Sequence, residues 1–280
     1  MRVRVGDVDL WFDVEGASLV AEGEGMRERQ TVLLLHGGPG FDHSAFKPGY
    51  GRLSDVAQVV YLDHRGNGRS DRGDPDDWRL EVWADDVRRF CDALGIARPI
   101  VLGWSFGGMV AMAYAARHPD HPAKLILQST MGRLDLGRIT EGFRRVGGDE
   151  AARVAREFWS QGGSPEAMVA YAQKCLPLYS PTPPDPHELS RSVLNMELLA
   201  DPVGVVAGMD LLPGLAGVRC PTLVVAGEDD PICTIDSMQD VVDALPGQLV
   251  RFERIPKAGH FLNRDDPERF FGLVRDFISS

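Results

Sequence analysis

Residues Ile100-Val101-Leu102-Gly103-Trp104-Ser105-Phe106-Gly107-Gly108 restrict this chain to a narrow set of folds. A short apolar run enters a G-x-S-x-G turn, and a helical pattern, Met109 to Arg117, follows at once. A turn this tight needs residues without side chains two places before and two places after the serine, and Gly103 and Gly107 meet that need. The turn lifts the Ser105 hydroxyl off the strand end. The helix behind it offers unpaired N–H groups and the positive end of its dipole. A glycine-flanked loop serine is the bland alternative, and the strand and helix on either side favour a nucleophile over it.

The rest of the chain repeats the strand–helix rhythm. Arg2–Val5 and Val8–Val14 read as a hairpin turning at Gly6-Asp7. Thr31–Leu35, Gln58–Leu62, Pro99–Leu102, Leu125–Gln128, Thr222–Ala226 and Leu249–Ile255 are short, nearly continuous apolar runs, as expected of strands covered on both faces. Helical patterns fall at Leu80–Leu94, Phe106–Arg117, Ile235–Leu245 and Pro267–Ile278. The expectation is an α/β chain built on a mostly parallel, doubly wound sheet of eight strands.

From Gly132 to Asp210 the rhythm stops. Helical patches (Asp149–Trp159, Pro165–Cys175, His187–Leu199) surround a proline cluster, Pro177 to Pro186, which suits a loop. An insertion after the strand ending Gln128-Ser129-Thr130 arches over the strand C-termini, where open α/β sheets place their ligands. The division expected is a core segment 1–131, a helical cap 132–210 and a second core segment 211–280; a merely decorative insertion is the alternative.

Composition narrows the partners. The 280 residues carry a net charge of −11, which disfavours nucleic acid and anionic membranes and leaves a small molecule or short peptide as the expected partner. No segment has the length and apolarity of a signal peptide or a bilayer span, so a cytoplasmic location is expected. Cys91, Cys175, Cys220 and Cys233 lack metal-ligand or redox spacing, so free thiols are expected, with no metal and no cofactor.

A serine hydroxyl needs a base to take its proton, and the base needs a partner that fixes its tautomer. Of seven histidines, only His260 follows a terminal-strand pattern in a small-residue loop, Lys257-Ala258-Gly259-His260, ahead of the last helix. His43, His64, His118 and His121 read as loop or surface residues, and His36 as a backbone-bonding group. The acid should follow Thr222–Ala226, where Asp230, extended by Pro231, is the choice and Asp229 the fallback. The N–H groups of Phe106 and Gly38, the latter in His36-Gly37-Gly38-Pro39-Gly40, are the candidate oxyanion donors.

His36-Gly37-Gly38-Pro39-Gly40, Asp63-His64-Arg65-Gly66-Asn67-Gly68-Arg69-Ser70, the serine turn, Gly227–Asp230 and Ala258-Gly259-His260 stand in the order seen in α/β-hydrolases. HGGPG with D-x-R-G-x-G-x-S resembles the proline iminopeptidase branch in particular. That resemblance implies removal of an N-terminal proline, with cap carboxylates gripping the free amine; Glu197 is the candidate for one, and only Asp201 and Asp210 are available for a second. Trp104 departs from the branch, and this elbow resembles those of carboxylesterases and of ring-fission or lactone hydrolases. Trp104 and Glu197 are therefore the candidate substrate contacts. The expected reaction is cleavage of an ester, amide or lactone through an acyl-enzyme. The alternatives are C–C bond hydrolysis, biosynthetic tailoring, or a weakly catalytic ligand receptor.

Overall fold

The apolar runs become the strands of a single large sheet. In the computed structural model, which describes residues 1–161 and 164–280, ten strands form: β1 (Arg2–Val5), β2 (Val8–Glu15), β3 (Leu19–Glu22), β4 (Gly25–Glu28), β5 (Thr31–Leu35), β6 (Gln58–Leu62), β7 (Ile100–Trp104), β8 (Lys124–Gln128), β9 (Thr222–Gly227) and β10 (Val250–Ile255). Eight of them pair in the order β1-β2-β6-β5-β7-β8-β9-β10. The β1–β2 and β2–β6 ladders are antiparallel, and every ladder from β6 to β10 is parallel. The parallel part requires crossovers, and helices supply them on both faces.

The period of two sorts each strand between two cores. Leu33, Leu35, Val101, Leu125, Leu127 and Val224 face one way, onto helices Leu80–Leu94 and Phe106–Arg117. Val32, Leu34, Leu102, Trp104, Ile126 and Val225 face the other, with Phe270, Phe271, Val274 and Phe277 of the helix Pro267–Ser279. Burying each such side chain contributes roughly 1.5–3 kcal/mol, so the apolar stripe of the C-terminal helix supplies most of its hold, and the Arg275–Asp55 pair at 2.6 Å adds a surface tie.

Between β8 and β9 the described residues carry helices and turns but no strand of the main sheet, as expected. The first helix is longer than its sequence pattern: Leu136–Gln161, interrupted at Gly148, whose φ is +77°. Gly142 explains part of that. A Cβ there would lie 2.3 Å from the carbonyl oxygen of Pro231, so the helix can pass over the loop after β9 only with glycine at the crossing. The β3–β4 hairpin has no counterpart in the sequence reading; nearly all of its side chains are exposed, so it lacks an alternating pattern. No described helix is long and apolar enough to cross a membrane.

Candidate active site

Parallel topology brings the loops after β5, β7, β9 and β10 to one edge of the sheet. Ser105 leaves β7 with φ +55° and ψ −119°, a conformation an L-residue adopts only under constraint. The constraint is packing. A Cβ on Gly103 would sit 2.3 Å from the Gly107 carbonyl oxygen, and one on Gly107 would sit 2.0 Å from that of Leu35. Ser105 N–H donates to Gln128 O of β8 at 3.0 Å, and Thr130 Oγ1 donates to Ser105 O at 2.7 Å. Both bonds fix the turn and leave the side chain free. Phe106 begins the helix Phe106–Arg117, so its N–H lies in the first turn, where no intrahelical acceptor exists.

Asp230, fully buried, follows β9. Its Oδ1 accepts the N–H groups of Ile232 and Cys233 at 2.9 and 3.0 Å, and its Oδ2 lies 2.8 Å from His260 Nδ1. Because a carboxylate only accepts, Nδ1 carries the proton and Nε2 is left as the basic nitrogen. The fallback, Asp229, points outward and pairs with Arg145 at 3.1 Å. His260 is held as a peptide as well as a ring. Its N–H donates to Tyr179 O at 2.6 Å, and its carbonyl accepts the Trp104 indole N–H at 3.1 Å. Among the described residues Ser105 Oγ and His260 Nε2 form no hydrogen bond within 3.5 Å; such bonds commonly shorten only when substrate is bound.

Gly38 adopts φ +133°, open to glycine but not to residues with a Cβ. Its neighbour Gly37 lies against the serine: a Cβ there would meet the Trp104 ring at 3.1 Å and Ser105 Cβ at 3.4 Å. The loop is held from beneath by the Asp63–Ser70 turn. Asn67 Oδ1 accepts Gly40 N–H at 2.7 Å, Asp63 Oδ1 accepts His43 N–H at 2.9 Å, and Arg69 pairs with Asp42 at 2.6 Å. From above, Asn195 donates its N–H to Gly40 O at 2.8 Å, and Val193 donates to Asp42 at 3.0 Å.

Several histidines differ from their sequence reading. His43, His64 and His121 are buried, because each has a buried neighbour to satisfy or stack on it. His43 bonds Asp63 and stacks on Trp11, His64 packs on His36 and Phe106, and His121 bonds the Tyr114 hydroxyl. His36 bonds backbone as expected: its Nε2 accepts His64 N–H at 3.2 Å, so the proton sits on Nδ1, which donates to Gly37 O at 2.7 Å. Burial pushes the His36 and His64 pKa values below the usual range.

The two substrate-contact candidates lie in different settings. Trp104 is buried, with its indole N–H already used by His260. Glu197 is exposed in the first turn of the short helix Met196–Ala200, its backbone N–H capped by Asn195 at 3.0 Å. Sequence reasoning missed Tyr179, Asn195 and Asp265, the last of which accepts Gly259 N–H at 2.8 Å. Tyr179 and Asn195 act through their own backbone groups, and Asp265 through its carboxylate on a backbone N–H, so none of the three contacts leaves a motif in the sequence.

Among the described residues two clusters of metal-ligand type occur, Asp230/Cys233/His260 and Asp42/His43/Asp63. In each, the histidine and a carboxylate already bond each other. A groove of about 550 Å³, lined by Arg138, Glu141, Arg145 and Glu228 among others, includes none of Ser105, Asp230 and His260.

The chain belongs to the α/β-hydrolase family: residues 30–267 match the model of the alpha/beta hydrolase fold. It is 27% identical over 278 residues to "Putative carbamate hydrolase RutD" of Caulobacter sp. (strain K31), covering 95% of this chain and 97% of the relative. It is 28% identical over 280 residues to a proline iminopeptidase of Lactobacillus delbrueckii subsp. lactis, covering 90% of this chain and 91% of that protein. The crystal structure of the Mycobacterium smegmatis proline iminopeptidase superposes with a TM-score of 0.80 at 25% identity, covering 100% of this chain and 97% of that one. Relatives and fold together make the chain one of the hydrolases that resemble proline iminopeptidase.

Proposed function

We propose that this protein is a serine hydrolase that cleaves an ester, amide or lactone bond through a covalent acyl-enzyme. The observation that carries the reading is the buried Asp230–His260 bond, 2.8 Å long, on the strand edge where Ser105 sits on a constrained positive-φ turn. His260 Nε2 takes the Ser105 proton as Oγ attacks the substrate carbonyl, and the N–H groups of Phe106 and Gly38 receive the developing oxyanion. Each such donor contributes about 3–4 kcal/mol of barrier lowering. The imidazolium, stabilised by Asp230, returns the proton to the leaving group. Water, deprotonated by the same nitrogen, then releases the acid and regenerates Ser105.

Residues 132–210 act as a cap over this edge, and two of their segments support the role by bonding to it, Tyr179 to the histidine loop and Asn195 to the glycine loop. Buried, unbridged Cys91, Cys175, Cys220 and Cys233 support a reducing, cytoplasmic setting. Among substrates, a peptide with N-terminal proline is supported by the iminopeptidase relatives, with Glu197 the cap carboxylate available to a free amine.

The test is turnover of a p-nitrophenyl ester by wild type and Ser105→Ala. Loss of turnover in a folded variant is expected, and full retained activity refutes the reading. In the same assay series, a proline-arylamide rate above those of acyl esters and lactones assigns the peptide substrate; a rate below them removes it.

A further inference from the structure

We propose that Trp104 is a positioning residue for His260, acting through the histidine peptide and the glycine loop instead of through contact with substrate. The inference rests on the serine-hydrolase reading above. Trp104 meets three parts of the proposed machinery at once. It is joined to Ser105 by one peptide bond. Its six-membered ring faces Gly37 so closely that a Cβ there would lie 3.1 Å from Cε3. Its Nε1–H donates to the His260 carbonyl at 3.1 Å, with the two ring centroids 5.6 Å apart.

That last bond has a counterpart. The opposite end of the His260 residue, its N–H, is tied to Tyr179 O at 2.6 Å, so the backbone of the base is fixed from the nucleophile strand on one side and from the cap on the other. Asp230 fixes the ring orientation, and Trp104 and Tyr179 fix where the ring begins. Proton transfer depends steeply on such placement, because a misplaced base loses rate without changing how substrate binds. Trp104 is buried against Phe46 and Phe261, which further separates it from a surface that substrate would cover.

Trp104→Phe keeps an aromatic ring beside Gly37 and deletes the indole donor. The proposal expects kcat for a small ester to fall about tenfold with KM unchanged, and Ser105 phosphonylation by a fluorophosphonate to slow in parallel. It also expects the Trp104 indole proton of wild-type protein to exchange slowly with solvent, because its acceptor is the buried His260 carbonyl. An increased KM at wild-type kcat assigns Trp104 to substrate binding and overturns the proposal. So does an indole proton that exchanges as fast as an exposed one, a result that stands even if the phenylalanine variant fails to fold. Failure of the underlying reading is recognised separately, by Ser105→Ala turning over ester at the wild-type rate.

Discussion

His260 Nδ1 and Asp230 Oδ2 lie 2.8 Å apart, and the other Asp230 oxygen is saturated by the Ile232 and Cys233 N–H groups. The carboxylate therefore has one oxygen left for the site, Oδ2, and the imidazole bonds to it. Asp229, one residue earlier, pairs with Arg145.

That asymmetry separates two neighbouring aspartates by experiment. Asp230→Asn turns an acceptor into a donor facing Nδ1 and selects the wrong imidazole tautomer, so kcat should fall on the order of 10³–10⁴-fold. Asp229→Asn alters only a half-exposed ion pair and should leave kcat within about twofold. Ester kinetics on the two variants check this; equal losses would place the acid elsewhere.

The contact between Tyr179 and the histidine loop gives a stability prediction. A Cβ on Gly259 would stand 2.2 Å from Tyr179 O, whereas one on Gly272, within the C-terminal helix, meets nothing within 4 Å. Gly259→Ala should destabilise the protein by about 1–3 kcal/mol or more and lower kcat, because the Tyr179–His260 bond cannot keep its length. Gly272→Ala should stabilise by about 0.5–1 kcal/mol through helix propensity. Denaturant melts of both variants decide it, and a harmless Gly259→Ala contradicts the Tyr179 contact.

Buried histidines set the response to acid. Burial lowers the pKa values of His36, His64 and His121 from the usual 6.5. Below about 6.5 the unfolded chain takes up protons that the folded chain refuses, so stability rises with pH in that window and is lost as pH falls through it. Each histidine adds up to about 1.4 kcal/mol per pH unit to the slope. Unfolding free energies from pH 8 to 5 should be nearly flat above 7 and fall below 6.5; a flat profile down to pH 5 contradicts the burial account.

The central strands, β5 to β9, are legible because continuous apolar runs suit strands covered on both faces. The parallel order then dictates that loops bearing Ser105, Asp230 and His260 share an edge. Other features carried no side-chain signal. Tyr179 engages His260 through its carbonyl, and Asn195 engages Gly40 through its N–H, so no residue type advertises either contact. The helix from Leu136 was obscured by Gly137, Gly142, Gly147 and Gly148. His43, His64 and His121 read as loop or surface residues because a polar side chain in a turn carries no sign of its partner, whereas Asp63 and Tyr114 bond the rings of His43 and His121, and His36 packs on that of His64.

The most direct measurement is the mass and position of the adduct left by a fluorophosphonate on the intact protein. One phosphonyl group per chain, mapped to the peptide containing residue 105 and lost in both Ser105→Ala and His260→Ala, is the predicted result. An adduct on another residue, or undiminished labelling of the alanine variants, would contradict it.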